Sequence, residues 1–321
     1  MKMLFMDDDT DYRTIQMELF RRDGYEVVES ATLGDAEEAL ALHGEDCDVA
    51  VLDMNMPPEM EGGLRIARAI YDQYPLLPAL VLTAYGSTDN ASRCMLEGVC
   101  AYVRKEQGEV DLPLGLRYCY GQRVARIRSA IERSLAAWWM RTGAVALRDS
   151  RSLPERRLLP LVMQYFNVMT ASMLCRPSPN HRSQLAAIGD VLPLAGYHGP
   201  VKLEYGPSVQ DMPLFRIRSE VDSFPEMEPV LKLLLGQGNN QSVLLSFTRR
   251  GRYGALILQF GEQASPDGIV RFKRIISGGD LESENDALVA MWAVQLTALR
   301  GLCRIEQIGA AYHLSVTLPI E

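Results

Sequence analysis

Three acidic residues, a threonine and a lysine stand where an alternating fold would gather them at one point. Asp7 and Asp8 follow the apolar run Met3–Met6, Asp53 follows Val49–Leu52, Thr83 follows Ala79–Leu82, and Lys105 comes just after Ala101–Val103. Carboxylates crowded together repel unless a cation sits among them. Hard oxygen donors of this kind suit Mg²⁺, which keeps several waters and can accept phosphate oxygens. The chemistry implied is phosphoryl transfer: Asp53 as the nucleophile, Asp8 and Asp53 holding the metal, Lys105 and Thr83 meeting the phosphoryl oxygens. Any one of these residues alone reads more simply as a helix cap or a solvated turn; five of them, each at a strand end, do not.

The elements that must position them are legible as period changes. Five apolar runs suit buried parallel strands, the four named above and Tyr25–Val28, and each is followed by a polar turn and a segment of helical periodicity. A β-α pattern repeated five times predicts a doubly wound, five-stranded parallel sheet, whose functional crevice lies outside the carboxyl ends of the strands.

Residues 1–117 resemble the receiver domain of two-component response regulators, through MLFMDDD, VLDMNMP, VLTA and AYVRK. The separations from Asp53 to Thr83 and from Thr83 to Lys105 are those expected of a receiver. The resemblance implies that a histidine kinase or phosphotransfer protein phosphorylates Asp53. It further implies that Asn55 offers a backbone carbonyl to the metal, that Asp7 acts from a second shell around it, and that Thr83 and Tyr102 form a switch pair. Arg13, five residues after Asp8, also fits. Two departures stand out: Glu106 follows Lys105 where the family usually has proline, and the loop MPPEMEGG is one residue longer than usual. Without proline the bond after Lys105 loses its usual cis preference, which would loosen the placement of the lysine.

The whole chain has 321 residues, 47% of them hydrophobic and 23% charged, enough for more than one core. A net charge of −8 argues against a nucleic-acid binder overall. The start of the sequence has no basic, apolar leader pattern and no window is long and apolar enough to span a bilayer, so a cytoplasmic location is expected. Six scattered cysteines without a C-x-x-C pair predict neither a zinc site nor a disulfide framework.

Residues 118–176 read as a helical hairpin. Val124, Ile127, Ile131, Leu135 and Trp138 make one apolar stripe, and Leu158, Leu161, Val162, Tyr165, Val168 and Met169 a second after a break at Gly143–Pro154. A lone hairpin cannot cover both faces, so two copies pairing into a four-helix bundle predict a homodimer. Nine arginines against three acids between Gly121 and Pro160 make the only basic stretch. With no recognition motif beside it, that stretch reads as a solvated face or a contact for an acidic partner.

Residues 177–321 read as an α/β sandwich: a helix at Ser183–Leu192, strands at Val201–Tyr205 and near Leu214–Arg218, a helix at Met227–Leu235, strands at Ser242–Thr248 and Gly254–Phe260, a helix at Asn285–Arg300, and a closing strand pair. The order resembles the ATPase domain of histidine kinases, with the hairpin in place of their dimerisation and phosphotransfer domain. Such a kinase needs a histidine on the hairpin, an asparagine for Mg²⁺, an aspartate for adenine and glycines for phosphates. None of His43, His181, His198 and His313 lies in the hairpin's helices; Lys232 and Gly236 stand near the asparagine positions, Gln259 replaces the aspartate, and Ala287 and Val289 occupy glycine positions. A catalytically inactive, kinase-like module is therefore expected.

Two functions follow. In the first, a response regulator phosphorylated on Asp53 acts through protein–protein interaction, with no enzyme activity beyond the receiver's own phosphoryl chemistry. In the second, the receiver gates a divergent ATPase or phosphatase, for which Asp280, Glu282, Glu284 and Asp286 are candidate metal ligands against a simpler reading as solvated charge or helix capping. A DNA-binding regulator using the arginine-rich helix is a third possibility. Nucleic acid and membrane are not the expected partners.

Overall fold

The computed structural model describes residues 1–57, 59–84, 88–148, 184–187, 201–205, 216–219, 227–235, 241–250, 253–260 and 264–319. They form two compact units, Met1–Arg126 and Ile127–Glu321.

The first unit is built on β1 (Lys2–Met6), β2 (Glu26–Ser30), β3 (Val49–Asp53), β4 (Ala79–Thr83) and β5 (Ala101–Arg104), all parallel in the order β2-β1-β3-β4-β5. The unbroken apolar runs are explained by burial on both faces. Leu4, Met6, Ala50, Leu52, Ala79 and Val81 face one core. Met3, Phe5, Val49, Val51, Leu80 and Leu82 face the other. Period-2 alternation thus feeds two cores instead of one core and solvent.

Helices α1 (Thr10–Arg22), α2 (Leu33–His43), α3 (Gly62–Gln73) and α4 (Thr88–Leu96) cross over between the strands. Asp9 caps α1 by accepting the Asp11 and Tyr12 amides, and Thr32 with Asp35 forms a capping box on α2. A short 3₁₀ turn, Lys105–Gln107, leads into α5, which runs unbroken from Gly108 to Arg148. At 1.5 Å per residue it is about 60 Å long. The expected receiver helix and first hairpin helix are therefore one element. The first unit reaches Arg126 because that guanidinium donates to the Pro75 and Leu77 carbonyls at 3.3 and 3.2 Å, and Arg123 to the Glu45 carbonyl at 3.4 Å.

The second unit contains β6 (Gln184–Ala187), β7 (Val201–Tyr205), β8 (Arg216–Ser219), β9 (Gln241–Arg250), β10 (Tyr253–Phe260), β11 (Leu302–Ile308) and β12 (Ala311–Pro319), with α6 (Glu228–Leu235), α7 (Pro266–Ile276) and α8 (Glu284–Ala298). Five strands run in the order β11-β12-β10-β9-β7, antiparallel except for the parallel β7–β9 pair, and β6 pairs antiparallel with β8. One core joins this sheet to the three helices: Leu256, Leu258 and Phe260 of β10 meet Leu231 and Leu234 of α6, Phe272 of α7 and Trp292 of α8.

Three expectations need correction. Gln184–Ala187 is strand, not the start of a helix, because backbone pairing with β8 overrides the modest helical preference of its Leu-Ala-Ala. Helix α7 was not foreseen, although Ser265 caps it and Pro266 stands in its first turn. The α5 stripe is not left for a second copy: Ile131, Leu135 and Trp138 lie in the core of their own unit, with Ile127 packed against it. The second hairpin stripe, Leu158–Met169, falls outside the described residues.

Candidate phosphoacceptor site

The carboxyl ends of β1 and β3 and the chain leaving β5 bring Asp7, Asp8, Asp53 and Lys105 together. Asp7, Asp8 and Asp53 each present an oxygen within 4.8 Å of the others, and no other group of three or more candidate metal ligands occurs among the described residues. Asp7 and Asp53 are buried and Asp8 is exposed. Lys105 Nζ stands 2.7 Å from Asp7 Oδ2 and 2.8 Å from Asp53 Oδ2, while the Asn55 amide donates to the other Asp53 oxygen at 3.3 Å. Asp7 is thus a direct partner of the lysine as well as a neighbour of the metal position.

The electrostatics follow from crowding in a poorly solvated place. Burial pushes the Asp7 carboxyl up to about 6, against the pull of Lys105. The Asp53 carboxyl is also raised, chiefly by burial. Burial acts to lower the Lys105 ammonium, but its bonds to Asp53 and Asp7 prevail and its pKa ends above the ordinary lysine value. Two buried carboxylates with one ammonium and an exposed third carboxylate leave an excess of negative charge. Hard, anionic oxygens at this separation are the donor set a divalent cation such as Mg²⁺ requires.

A pH dependence follows with a definite sign. With its carboxyl raised to about 6, Asp7 is expected to keep its proton in the metal-free fold below that pH, and a cation must then displace it. Mg²⁺ affinity is expected to rise as pH increases through 6 and to level off above 7, readable by calorimetric titration at fixed ionic strength.

Thr83, the last residue of β4, is wholly buried. Its neighbour Leu82 is in register with Asp53, and Thr83 itself with Arg104, immediately before Lys105. Tyr102 lies two residues earlier on β5, paired with Val81 and packed against the core beneath. Arg13 donates from Nη1 to the Asp7 carbonyl at 2.7 Å and so fixes the backbone that carries the carboxylates. The chain after Lys105 turns into the 3₁₀ segment without proline, and the lysine still reaches both carboxylates.

Two residues of the site were not foreseen. The Tyr12 ring lies under Lys105, with Nζ 4.4 Å from its centroid, a cation–π contact that holds the ammonium in place. Gly63, in the first turn of α3, lies so close to the phosphoacceptor that a Cβ there would fall 1.9 Å from the Asp53 carbonyl oxygen. Tyr12 carries no signal at sequence level, whereas the Gly62-Gly63 pair opening a helix is one. In the loop between, Met56 and Glu59 exchange two backbone hydrogen bonds, 3.2 and 2.8 Å.

Gly63→Ala is expected to push α3 away from β3, costing about 1–3 kcal/mol as overpacking does. It should also slow phosphorylation, while Gly34→Ala, whose Cβ meets nothing closer than 3.8 Å, should do neither. Thermal melts of the two variants check this.

The acidic run of the second unit does not form a comparable cluster. Asp286, fully buried, pairs with Arg271 and accepts the Glu282 amide at 2.9 Å; Glu282 pairs with Arg274 at 2.6 Å; Asp280 lies 3.7 Å from Arg141. Each of these three carboxylates is paired with an arginine, and the cap of α8 is Ser283.

Residues 3–116 match the family model "Response regulator receiver domain". They are a response regulator receiver domain. The chain is 33% identical to the response regulator protein FleR of Pseudomonas aeruginosa along 123 residues, 38% of this chain and 25% of that protein. It is 30% identical to the oxygen regulatory protein NreC of Staphylococcus carnosus along 122 residues, 37% of this chain and 55% of that protein. The chain thus spans between about a quarter and about half of these relatives' lengths. Similar solved structures include a receiver domain from Clostridium thermocellum, at 29% identity over 37% of this chain and 92% of that one with a TM-score of 0.35. Another is a CheY-like receiver from Methanospirillum hungatei, at 26% identity over 36% and 90% with a TM-score of 0.33. Receiver domains take part in two-component signalling and accept phosphate from histidine kinases. The matched residues end at 116, so the receiver assignment does not extend to the second unit.

Proposed function

We propose that the chain is a response regulator whose Asp53 takes a phosphoryl group from the phosphohistidine of a histidine kinase or phosphotransfer protein, and whose output is protein–protein interaction. The observation that carries this reading is the meeting of Asp7, Asp8, Asp53 and Lys105 at one point. In the reaction an Asp53 oxygen attacks phosphorus, the bond to the histidine nitrogen breaks, and an acyl phosphate forms. Lys105 moves from the carboxylate to a phosphoryl oxygen, and Thr83 offers a hydroxyl to another. Asp8, Asp53 and the Asn55 carbonyl would hold Mg²⁺, which supplies charge neutralisation for the transferred group. The Thr83–Tyr102 pair passes the change to the surface.

The second unit serves this reading as a non-catalytic interaction module whose order of elements resembles that of the kinase ATPase domain. Ala287 and Val289, at the positions where phosphate-binding glycines are expected, are buried in the core within α8. Lys232 is occupied by Glu228 at 2.7 Å. For the homodimer the support now lies elsewhere on α5: Val110, Leu114 and Tyr118, spaced one turn apart, are all more than half exposed. Of the arginines offered to nucleic acid in the third reading, Arg126 donates to backbone carbonyls and Arg128 pairs with Glu132 at 3.0 Å. Among the described residues no helix is long and apolar enough to cross a membrane.

The test is the mass of the full chain in solution with and without beryllofluoride and Mg²⁺, beside titration with a non-hydrolysable ATP analogue. A mass change without nucleotide binding is expected. Saturable nucleotide binding would overturn the non-catalytic module and restore the gated ATPase.

A further inference from the structure

A second reactive arrangement lies in the first unit, apart from the carboxylates. Cys100 stands just before β5 and Cys119 on α5. A Cβ built on Gly115 would touch the Ala101 side chain at 3.7 Å, so α5 lies along β5 and its next turn brings Cys119 beside Cys100. The Cys100 sulfur accepts a hydrogen bond from the Cys119 thiol and another, at 3.1 Å, from Arg126 Nη2. Arg126 is itself fixed by the Pro75 and Leu77 carbonyls. Cys119 is wholly buried, whereas Cys100 is only half-buried.

Cys100 differs in chemistry from Cys119, Cys94 and Cys303. The hydrogen bond from Cys119 and the Arg126 charge outweigh burial and bring the Cys100 thiol down to about 6. The hydrogen bond to Cys100, with burial behind it, raises Cys119, while burial raises Cys94 and takes Cys303 up to about 12. Reactive cysteines are those held as thiolates beside a cation and within reach of solvent, and a neighbouring thiol can resolve the oxidised product.

We propose that Cys100 and Cys119 form a hydroperoxide-sensitive dithiol that closes to a disulfide and pins α5 to the start of β5. The Cys100 sulfur attacks one peroxide oxygen, the O–O bond breaks, and the departing hydroxide takes a proton to leave as water. The sulfur is oxidised by two electrons to sulfenic acid and the peroxide is reduced. The Cys119 sulfur then attacks the sulfenic sulfur; an S–S bond forms, the S–O bond breaks, and hydroxide leaves with the Cys119 proton as a second water. The crosslink restrains the helix that runs on to Arg148, and a dithiol reductant reverses it.

The experiment treats the full chain with graded hydrogen peroxide, followed by peptide mapping under non-reducing conditions, and separately follows iodoacetamide labelling of each cysteine. A Cys100–Cys119 disulfide reversible by dithiothreitol is expected as the first thiol product, with Cys100 labelled at least about tenfold faster than Cys94 or Cys303. Arg126→Gln should slow the labelling of Cys100, and Cys119→Ala should divert the product to sulfinic acid at Cys100. Labelling of Cys100 no faster than Cys303 in the unaltered protein would overturn the proposal, as would peroxide leaving both thiols intact. Those two results need no variant to fold.

Discussion

Asp53→Asn is expected to abolish acyl phosphate formation completely while making the metal-free protein more stable. The first effect is chemical: an amide oxygen is not a nucleophile that phosphohistidine or acetyl phosphate can use. The second follows from the charges. Asp53 is buried beside Asp7 with its carboxyl pKa raised by burial, so its ionised form is held in the fold at a cost near neutral pH. Asparagine removes that charge and leaves Lys105 paired with Asp7 at 2.7 Å. The gain should vanish when Mg²⁺ is present, because the metal uses the carboxylate that the variant lacks. Calorimetric melts with Mg²⁺ and with chelator distinguish this from a general stabilisation, and a melting temperature lowered in chelator would contradict it.

Lys105→Met is expected to act in the opposite direction. The lysine side chain is only 13% exposed and lies between two buried carboxylates. Removing it leaves Asp7 and Asp53 facing each other without a cation, a change that costs roughly 3 kcal/mol in comparable buried pairs. The carboxylates relieve the repulsion by taking up protons, so the loss should be smaller at pH 5.5 than at pH 8. Divalent metal can replace the missing charge, and Mg²⁺ should raise the melting temperature of the variant more than that of the unaltered protein. Phosphorylation by a small-molecule donor should be strongly slowed even with Mg²⁺ saturating, because no ammonium then meets the transferred group. A variant equally destabilised at both pH values would show that Lys105 matters through packing, not charge.

The legible part of the site is the part that β-α alternation dictates. Once a strand is recognised as buried on both faces, the residues at its carboxyl end share a crevice, and Asp7, Asp8, Asp53, Thr83 and Lys105 need no further information. Tyr12 and Gly63 escape that logic. Tyr12 matters because the first turn of α1 carries its ring under a lysine more than ninety residues away in sequence, and Gly63 because α3 closes on the backbone of β3. Both are consequences of packing distance rather than of pattern.

The second unit shows the same division. Strands β9, β10 and β12 and helix α6 have strong periodicity and stand where expected, and α8, apolar on nearly every face, stands where its long apolar run places it. Helix α7 carries its signals in the sequence, a cap at Ser265 and an apolar face in Ile269, Phe272 and Ile275. Strand β6 has too few residues for a period to show, and only its pairing with β8 defines it. The α5 stripe was legible as a buried face, but what buries it was not: the same pattern suits a dimer or a neighbouring sheet, and here it meets the core of its own unit.

The most direct measurement is the intact mass of the full chain after incubation with acetyl phosphate, with and without Mg²⁺, followed by peptide mapping. The account requires one added phosphoryl group, dependent on Mg²⁺ and located on Asp53. A protein that gains no phosphoryl group, or gains it on another residue, would contradict the assignment of Asp53 as phosphoacceptor.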